Sequence, residues 1–336
     1  MTDYLLVVAG LALLITGGEL LVRGASTVAQ RLGMSPLLIG LTLVGFGTST
    51  PELVTSIEAS LAGSPGIAVG NIVGSNIANI LFILGIAAVI TPVAVSQNAL
   101  RRDGSFVLIT AAAFCLVGTF ASLDRLVGVV FVAGLASYIY YAYRQETAGA
   151  PDGHTAAFEK LEAHEEVFDS HLGGSTTTTK PAVSAATSGL AWPLGLAVLG
   201  LLLVVGGGKL LVDGATGIAR SAGVSETLIG LTIVAVGTSL PELVTSVIAA
   251  LRRHADVALG NVLGSNIYNI LGIGGVTALI APTTIPPEIV RFDSLVMLVV
   301  SGLLLVVART GYTIGRLEGC ILIGAYAVYL AALWPA

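Results

Sequence analysis

The sequence predicts an all-α membrane protein with ten transmembrane helices arranged as two inverted-topology repeats of five. Three observations lead there. Only 10% of the 336 residues are charged and 55% are hydrophobic, at a mean hydropathy of +0.93, whereas a soluble domain carries about 25% charged residues. Apolar runs of roughly 18 residues or more, the length that crosses about 30 Å of hydrocarbon, recur along nearly the whole chain. Residues 13–92 then return without a gap at 203–282, an offset of 190 (203 − 13). Backbone amides in lipid must bond within their own segment, so each apolar run is a helix.

In chain order the expected spans are 4–23, 36–60, 67–90, 105–121 and 124–143, then 191–212, 224–250, 255–280, 293–308 and 315–334. The first run has no basic stretch before it and no A-x-A-like site after it, so it is expected to be a retained helix. Cys115 and Cys320 sit inside apolar runs and suit small packing residues better than a disulfide or a thiolate metal site. The chain thus divides into a first repeat at 1–145, a loop at 146–190 and a second repeat at 191–336. The loop, rich in Glu, His, Ser and Thr, includes STTTTK at 175–180 and reads as solvated. Phe158, Leu161, Val167 and Phe168 punctuate it with partial helical spacing, which suggests a short amphipathic helix against the membrane or the bundle. His154, His164 and His171 lack tight ligand spacing, so the acidic linker is expected to be solvated rather than metal-bound.

Five spans per half is an odd number, so the second copy must enter the membrane in the opposite orientation, an architecture that places a substrate site between the repeats near the midplane. Charge agrees with this topology. Eleven Lys and Arg fall on the side reached after odd-numbered spans; Arg125, Lys209, Arg220 and Arg291 fall on the other. Basic residues collect on the cytoplasmic side. Both termini are therefore expected outside, with the 146–190 loop in the cytoplasm, in the plasma (inner) membrane. No basic stripe suggests nucleic acid.

GTSTPELVTS at 47–56 returns as GTSLPELVTS at 237–246, and GNIVGSNIANI at 70–80 as GNVLGSNIYNI at 260–270. The two motifs put Glu52 and Glu242 at equivalent places inside apolar spans, where a charge costs on the order of 2.5–3.5 kcal/mol. Pro51 and Pro241, just before them, lack an amide hydrogen and crowd the carbonyls of Gly47 and Gly237, so each helix should open there and free the carbonyls at 45–47 and 235–237. Thr48 and Ser49 precede Glu52 by four and three residues, as Thr238 and Ser239 precede Glu242, which expects them on the same helical face. Asn71, Ser75 and Asn79 form a polar stripe, as do Asn261, Ser265 and Asn269. Gly66, Gly70 and Gly74, and Gly260 and Gly264, permit close packing beside the stripes. Glu19 with Arg23 and Lys209 with Asp213 are i,i+4 pairs with a structural role. Every donor in the motifs is a hard oxygen, which selects Ca2+, Na+, Mg2+ or Mn2+ over zinc or copper.

These duplicated motifs, each followed by a GSN-containing stripe, resemble the two α-repeats of the Na+/Ca2+ exchanger branch of the cation/calcium exchanger superfamily. The resemblance covers both halves and leaves the loop outside it. It implies an antiporter rather than an enzyme, with no cofactor, the lipid bilayer as its medium, Ca2+ and Na+ as transported substrates and a monomer sufficient for transport. Implied ligands are Thr48, Ser49, Glu52, Ser75, Asn79, Thr238, Ser239, Glu242 and Ser265, with the carbonyls of Gly45 and Ala235, between the second, third, seventh and eighth helices. The first and sixth helices are implied to slide across this core, which fits Gly17, Gly18, Gly206, Gly207 and Gly208. One departure stands out: Asn269 occupies a place where many of these exchangers carry Asp. Two carboxylates remain where three are usual, so H+- or K+-coupled exchange stays an alternative, and a cation channel a more distant one.

Overall fold

The computed structural model describes residues 2–33, 42, 45–97, 100–148, 155–160, 162, 190–253 and 255–334. Its long helices are α1 (Thr2–Arg31), α3 (Pro65–Ile90), α4 (Leu100–Phe120), α5 (Arg125–Thr147), α6 (Ala191–Ala222), α8 (Val257–Ile280), α9 (Ile289–Arg309) and α10 (Arg316–Leu333). Two helices are broken. In the first half a short turn, α2a (Gly45–Gly47), leads into α2b (Thr50–Leu61); in the second, α7a (Glu226–Thr238) meets α7b (Leu240–Leu251) at a bend of 48°. Among the described residues eight helices are long and apolar enough to cross a membrane, nine if the bent pair is one span.

Both α1 and α6 run past the expected 4–23 and 191–212. At 1.5 Å per residue the 30 residues of α1 reach about 45 Å, more than the hydrocarbon thickness. Nothing stops either helix until a left-handed glycine: Gly33 at φ +85° after α1 and Gly223 at φ +68° after α6. Only glycine adopts that conformation without strain, and at a helix C-terminus it turns the chain away. The Val224 amide then donates to the Ala219 carbonyl at 3.1 Å, closing the helix end.

α1 and α6 lie antiparallel with their backbones in contact. Glycines spaced seven apart on each helix meet the other: Gly10 faces Gly207 and Leu211, Gly17 faces Gly200 and Val204, and Gly24 faces Pro193 and Ala197. A Cβ on Gly200 would stand 2.3 Å from the Leu21 nitrogen and 2.6 Å from the Gly17 oxygen, against backbone that cannot step aside, whereas one on Gly206 would meet nothing within 4 Å among the described residues. Gly200→Ala is therefore expected to destabilise the detergent-solubilised protein by roughly 1–3 kcal/mol or more, read as a lower thermal unfolding midpoint. Gly206→Ala should leave the midpoint unchanged or raise it.

The core lies behind this pair. α3 and α8 are buried on nearly every face, while the outer helices carry exposed apolar residues such as Phe120, Leu317 and Val328, as a lipid-facing surface requires. Gly66, Gly70 and Gly74 of α3 sit directly on Thr227, Gly230 and Leu231 of α7a, which is the close packing expected of them. Connections between the halves follow the 190-residue offset as well. Val93 and Ala94 pair antiparallel with Ile314 and Thr313, and Leu123 pairs with Thr283. Adding 190 to 93 and to 123 gives 283 and 313, so the same link is made twice with the halves exchanged.

Both cysteines are free thiols; Cys115 donates to the Ser294 carbonyl at 3.1 Å. Arg23 donates to Glu19 along α1, as their spacing predicts. The three loop histidines, and Leu161, Val167 and Phe168, lie outside the described residues. Inside them, the chain forms a helical turn at 156–160 that enters the bundle instead of lying in solvent.

Candidate cation-binding site

Pro51 and Pro241 occupy the first turn of their half-helices, where an amide hydrogen has no intrahelical partner in any case. Each proline therefore starts a helix rather than kinking one, and the preceding Ser49 or Ser239 becomes the residue at the break. Glu52 and Glu242 fall in the first turn of α2b and α7b, at the positive end of the helix dipole, which favours a carboxylate. Both side chains are buried, each with 1% of the residue exposed. A carboxylate so placed needs partners.

Its partners come from the opposite half. Ser239 Oγ donates to Glu52 Oε1 at 3.0 Å, and Ser49 Oγ donates to Glu242 Oε1 at 3.3 Å. Ser49 and Ser239 were expected beside the glutamate of their own motif, three residues on; the break at each serine removes the helical geometry that would place them there. Behind each glutamate a stripe asparagine holds the half-helix. Asn71 Nδ2 donates to the Glu52 carbonyl and to Ser56 Oγ, both at 3.0 Å; Asn261 Nδ2 donates to the Glu242 carbonyl at 3.2 Å and to Ser246 Oγ at 2.8 Å.

The remaining expected donors lie in the protein interior. Thr48, Ser75, Asn79, Thr238, Ser265 and Asn269 are all buried. Thr238 Oγ1 lies 2.9 Å from Asn71 Oδ1, and Ser75 Oγ donates to the Ala235 carbonyl at 3.4 Å. That carbonyl also accepts the Ser239 amide at 3.1 Å, so it is not left free by the helix break as the sequence suggests. Gly45 is buried in α2a. Both stripes change pitch where they reach the site: π-helical turns span Asn79–Ile83 and Tyr268–Gly274. Such turns insert an extra residue and recur at functional positions.

Glu52 Oε2, Glu242 Oε2, Thr48 Oγ1, Asn79 Oδ1 and Asn269 Oδ1 are buried with no hydrogen-bond partner among the described residues. Buried polar atoms are normally satisfied, and oxygens left in this state, two of them carboxylate, fit a hard cation.

Three features escape a reading of the motifs. Asn76 and Asn266 lie off the four-residue stripe yet tie α3 to α8, with Asn79 Nδ2 donating to Asn266 Oδ1 at 2.9 Å and Asn266 Nδ2 to the Asn76 carbonyl at 3.3 Å; their duplication in GSN was the available signal. Asp103 in α4 and Asp293 in α9 are also buried equivalents, each accepting from a tyrosine, Tyr138 at 3.1 Å and Tyr329 at 2.8 Å. Lys160, counted in the sequence only as a loop charge, places its Nζ 3.5 Å from Glu242 Oε1.

A route toward the site opens beside α1. A cavity of about 500 Å³ runs between α1 and the two breaks, lined by Gly18, Glu19, Arg23, Thr48, Pro51 and Thr245 among others. On α1 a Cβ at Gly18 would find nothing closer than 3.8 Å, whereas on α6 a Cβ at the equivalent Gly208 would stand 2.7 Å from Val54 Cγ1 of α2b. α6 is thus closed down on α2b, while α1 stands off α7b.

Known proteins resemble this chain in sequence and fold. The family described as Sodium/calcium exchanger protein matches residues 2–144 and 192–334. The sodium/calcium exchanger MaX1 of Methanosarcina acetivorans is 36% identical over 356 aligned positions, covering 99% of this chain and 98% of that one. The inner membrane protein YrbG of Escherichia coli is 35% identical, covering 98% and 96%. Among solved structures, the sodium-calcium exchanger NCX_Mj in Na+ and Sr2+ superposes at a TM-score of 0.60 with 31% identity, over 99% of both chains. Matched along both halves by the family and end to end by these relatives, the chain belongs to the sodium/calcium exchanger family.

Proposed function

We propose that this protein is a secondary antiporter that exchanges Ca2+ for Na+ by alternating access, with the cations held between α2, α3, α7 and α8. The observation that carries this reading is the cross-tied pair of buried carboxylates, each bonded through one oxygen to a serine of the other half and each with its second oxygen unpartnered among the described residues. Glu52 and Glu242 supply the charge; Thr48, Ser49, Ser75, Asn79, Thr238, Ser239 and Ser265, with the Gly45 carbonyl, supply neutral oxygen. Asn269 contributes a dipole where a third carboxylate would bind Na+ more strongly.

In this reading ten transmembrane helices form two inverted repeats, 1–145 and 191–336, joined by the loop at 146–190. The charge distribution places Glu19, Arg23 and the 500 Å³ cavity on the cytoplasmic side, so the arrangement described is the inward-accessible one. Sliding of the glycine-locked α1–α6 pair as a unit would close α1 on α7b and lift α6 from α2b, exposing the site to the other side.

Uptake of 45Ca2+ into proteoliposomes under an outward Na+, H+ or K+ gradient, each imposed alone, tests the reading. An outward Na+ gradient is expected to drive Ca2+ accumulation, abolished when the gradient is collapsed. Accumulation driven by H+ or K+ alone would replace Na+ as the coupling ion, a reading that Asn269 keeps open. Ca2+ entry down its own gradient, indifferent to all three ions, would make the protein a channel.

A further inference from the structure

Lys160 belongs to the loop between the halves, yet it is buried at 1% exposure, and Thr155, Ala156 and Ala157 ahead of it are buried completely. Two carboxylates fix the start of this turn. Glu146 Oε1 accepts the Thr155 amide at 2.7 Å, and Asp103 Oδ2 accepts the Ala156 amide at 3.0 Å. The turn rests on α8 at Gly260 and Gly264, where an added Cβ would overlap Glu159 and stand 3.0 Å from the Ala156 carbonyl. Gly70 and Gly74, their equivalents on α3, seat α7a instead. A six-residue piece of the loop therefore occupies, on α8, the counterpart of the place that a core half-helix occupies on α3.

The end of that turn reaches the cation site. Lys160 Nζ lies 2.5 Å from Ser265 Oγ, 3.1 Å from Ser49 Oγ and 3.5 Å from Glu242 Oε1, with the Tyr268 ring centre at 5.6 Å. An ammonium has three donors and no acceptor. Among hydroxyl and carboxylate oxygens, against an aromatic face, it satisfies the demands a small cation would satisfy. Ser49, Ser265 and Glu242 are three of the ligands proposed above. One positive charge with Glu52 and Glu242 leaves the site at net −1; adding Ca2+ would leave it at net +1, in a setting that screens poorly. Lys160 and Ca2+ thus exclude each other.

We propose that Lys160 is a tethered cation that occupies the transport site in competition with Ca2+ and Na+, so that the 155–160 turn acts as a built-in plug which the transported ion must displace. The proposal rests on the exchange reading for its transport assay. A site open one-tenth of the time binds about ten-fold more weakly than its intrinsic affinity.

Two measurements on full-length protein test it. In proteoliposomes, Lys160→Gln is expected to lower the apparent KM for Ca2+ by about five- to ten-fold, with Lys160→Arg staying near wild type. In detergent, with Cys115 and Cys320 replaced by serine, Ala157→Cys keeps Lys160 and puts a thiol in the buried turn. Its reaction with N-ethylmaleimide is expected to quicken several-fold when choline buffer is replaced by saturating Ca2+ or Na+. A KM for Lys160→Gln within two-fold of wild type, or labelling indifferent to both cations, would overturn the plug. Should wild-type liposomes take up no Ca2+ under any gradient, the exchange reading fails by itself and the labelling rates decide the plug alone.

Discussion

Glu52→Gln and Glu242→Gln are each expected to reduce Ca2+ exchange by more than about a hundred-fold while the protein stays folded. Glutamine keeps the volume and can still accept the serine hydroxyl of the opposite half through its carbonyl oxygen, so the cross-tie between α2b and α7b need not fail. What changes is the second atom. The Oε2 oxygen, buried and without a partner among the described residues in both glutamates, becomes an amide nitrogen whose hydrogens face the cation. With the site reduced from two negative charges to one, bound Ca2+ leaves a positive charge uncompensated. A unit charge at about 4 Å contributes roughly 4 kcal/mol at the effective dielectric of a protein, which covers more than two decades of affinity. The check pairs 45Ca2+ uptake with thermal unfolding. Uptake near the wild-type rate in either variant would remove that glutamate from the mechanism, and loss of folding in both would show a structural role instead.

Asn269→Asp is expected to tighten Na+ binding by about ten-fold and to shift competition between Na+ and Ca2+ to lower Na+ concentration. Asn269 lies at the start of the π-helical turn Tyr268–Gly274, buried, with Oδ1 unpartnered. Two glutamates neutralise one Ca2+ but leave three Na+ with a net positive charge, and burying an unpaired charge costs several kcal/mol unless dipoles offset it. The wild-type protein should therefore show weak Na+ affinity, a ratio nearer two Na+ per Ca2+, or partial replacement of Na+ by H+. Reversal potentials of Ca2+ flux at fixed Na+ gradients measure the ratio directly. A wild-type ratio of three, with Na+ affinity unmoved by Asn269→Asp, would mean that amide and carbonyl dipoles carry the missing charge.

Helix ends illustrate why the chain is only partly readable from its residues. Apolar length locates the hydrocarbon-crossing part of α1 and α6 but not their stopping points, because a helix continues through polar residues until something ends it. Gly33 and Gly223 do so, at positions that hydropathy passes over. Glycine spacing of seven on α1 and α6 was present in the sequence; its partner was not. Only the antiparallel pairing of the two helices assigns Gly10, Gly17 and Gly24 to one interface, turns Gly18 and Gly208 toward the core and leaves Gly206 without a contact.

The sequence by itself determined the membrane class and the family and singled out the two buried glutamates, because composition, apolar run length and a duplicated motif are properties of the chain read locally. Tertiary structure alone decided how those residues meet. Ser49 bonds the glutamate 193 positions away rather than the one three positions on, because the break ahead of Glu52 turns Ser49 out of its helix. The different spacing of α1 and α6 from half-helices of equivalent sequence is likewise a tertiary matter. Lys160 reaches Glu242 because Glu146, Asp103 and two glycines of α8 hold its turn inside the bundle. Periodicity reports which face of a helix a residue occupies; it carries no record of which distant segment that face will find.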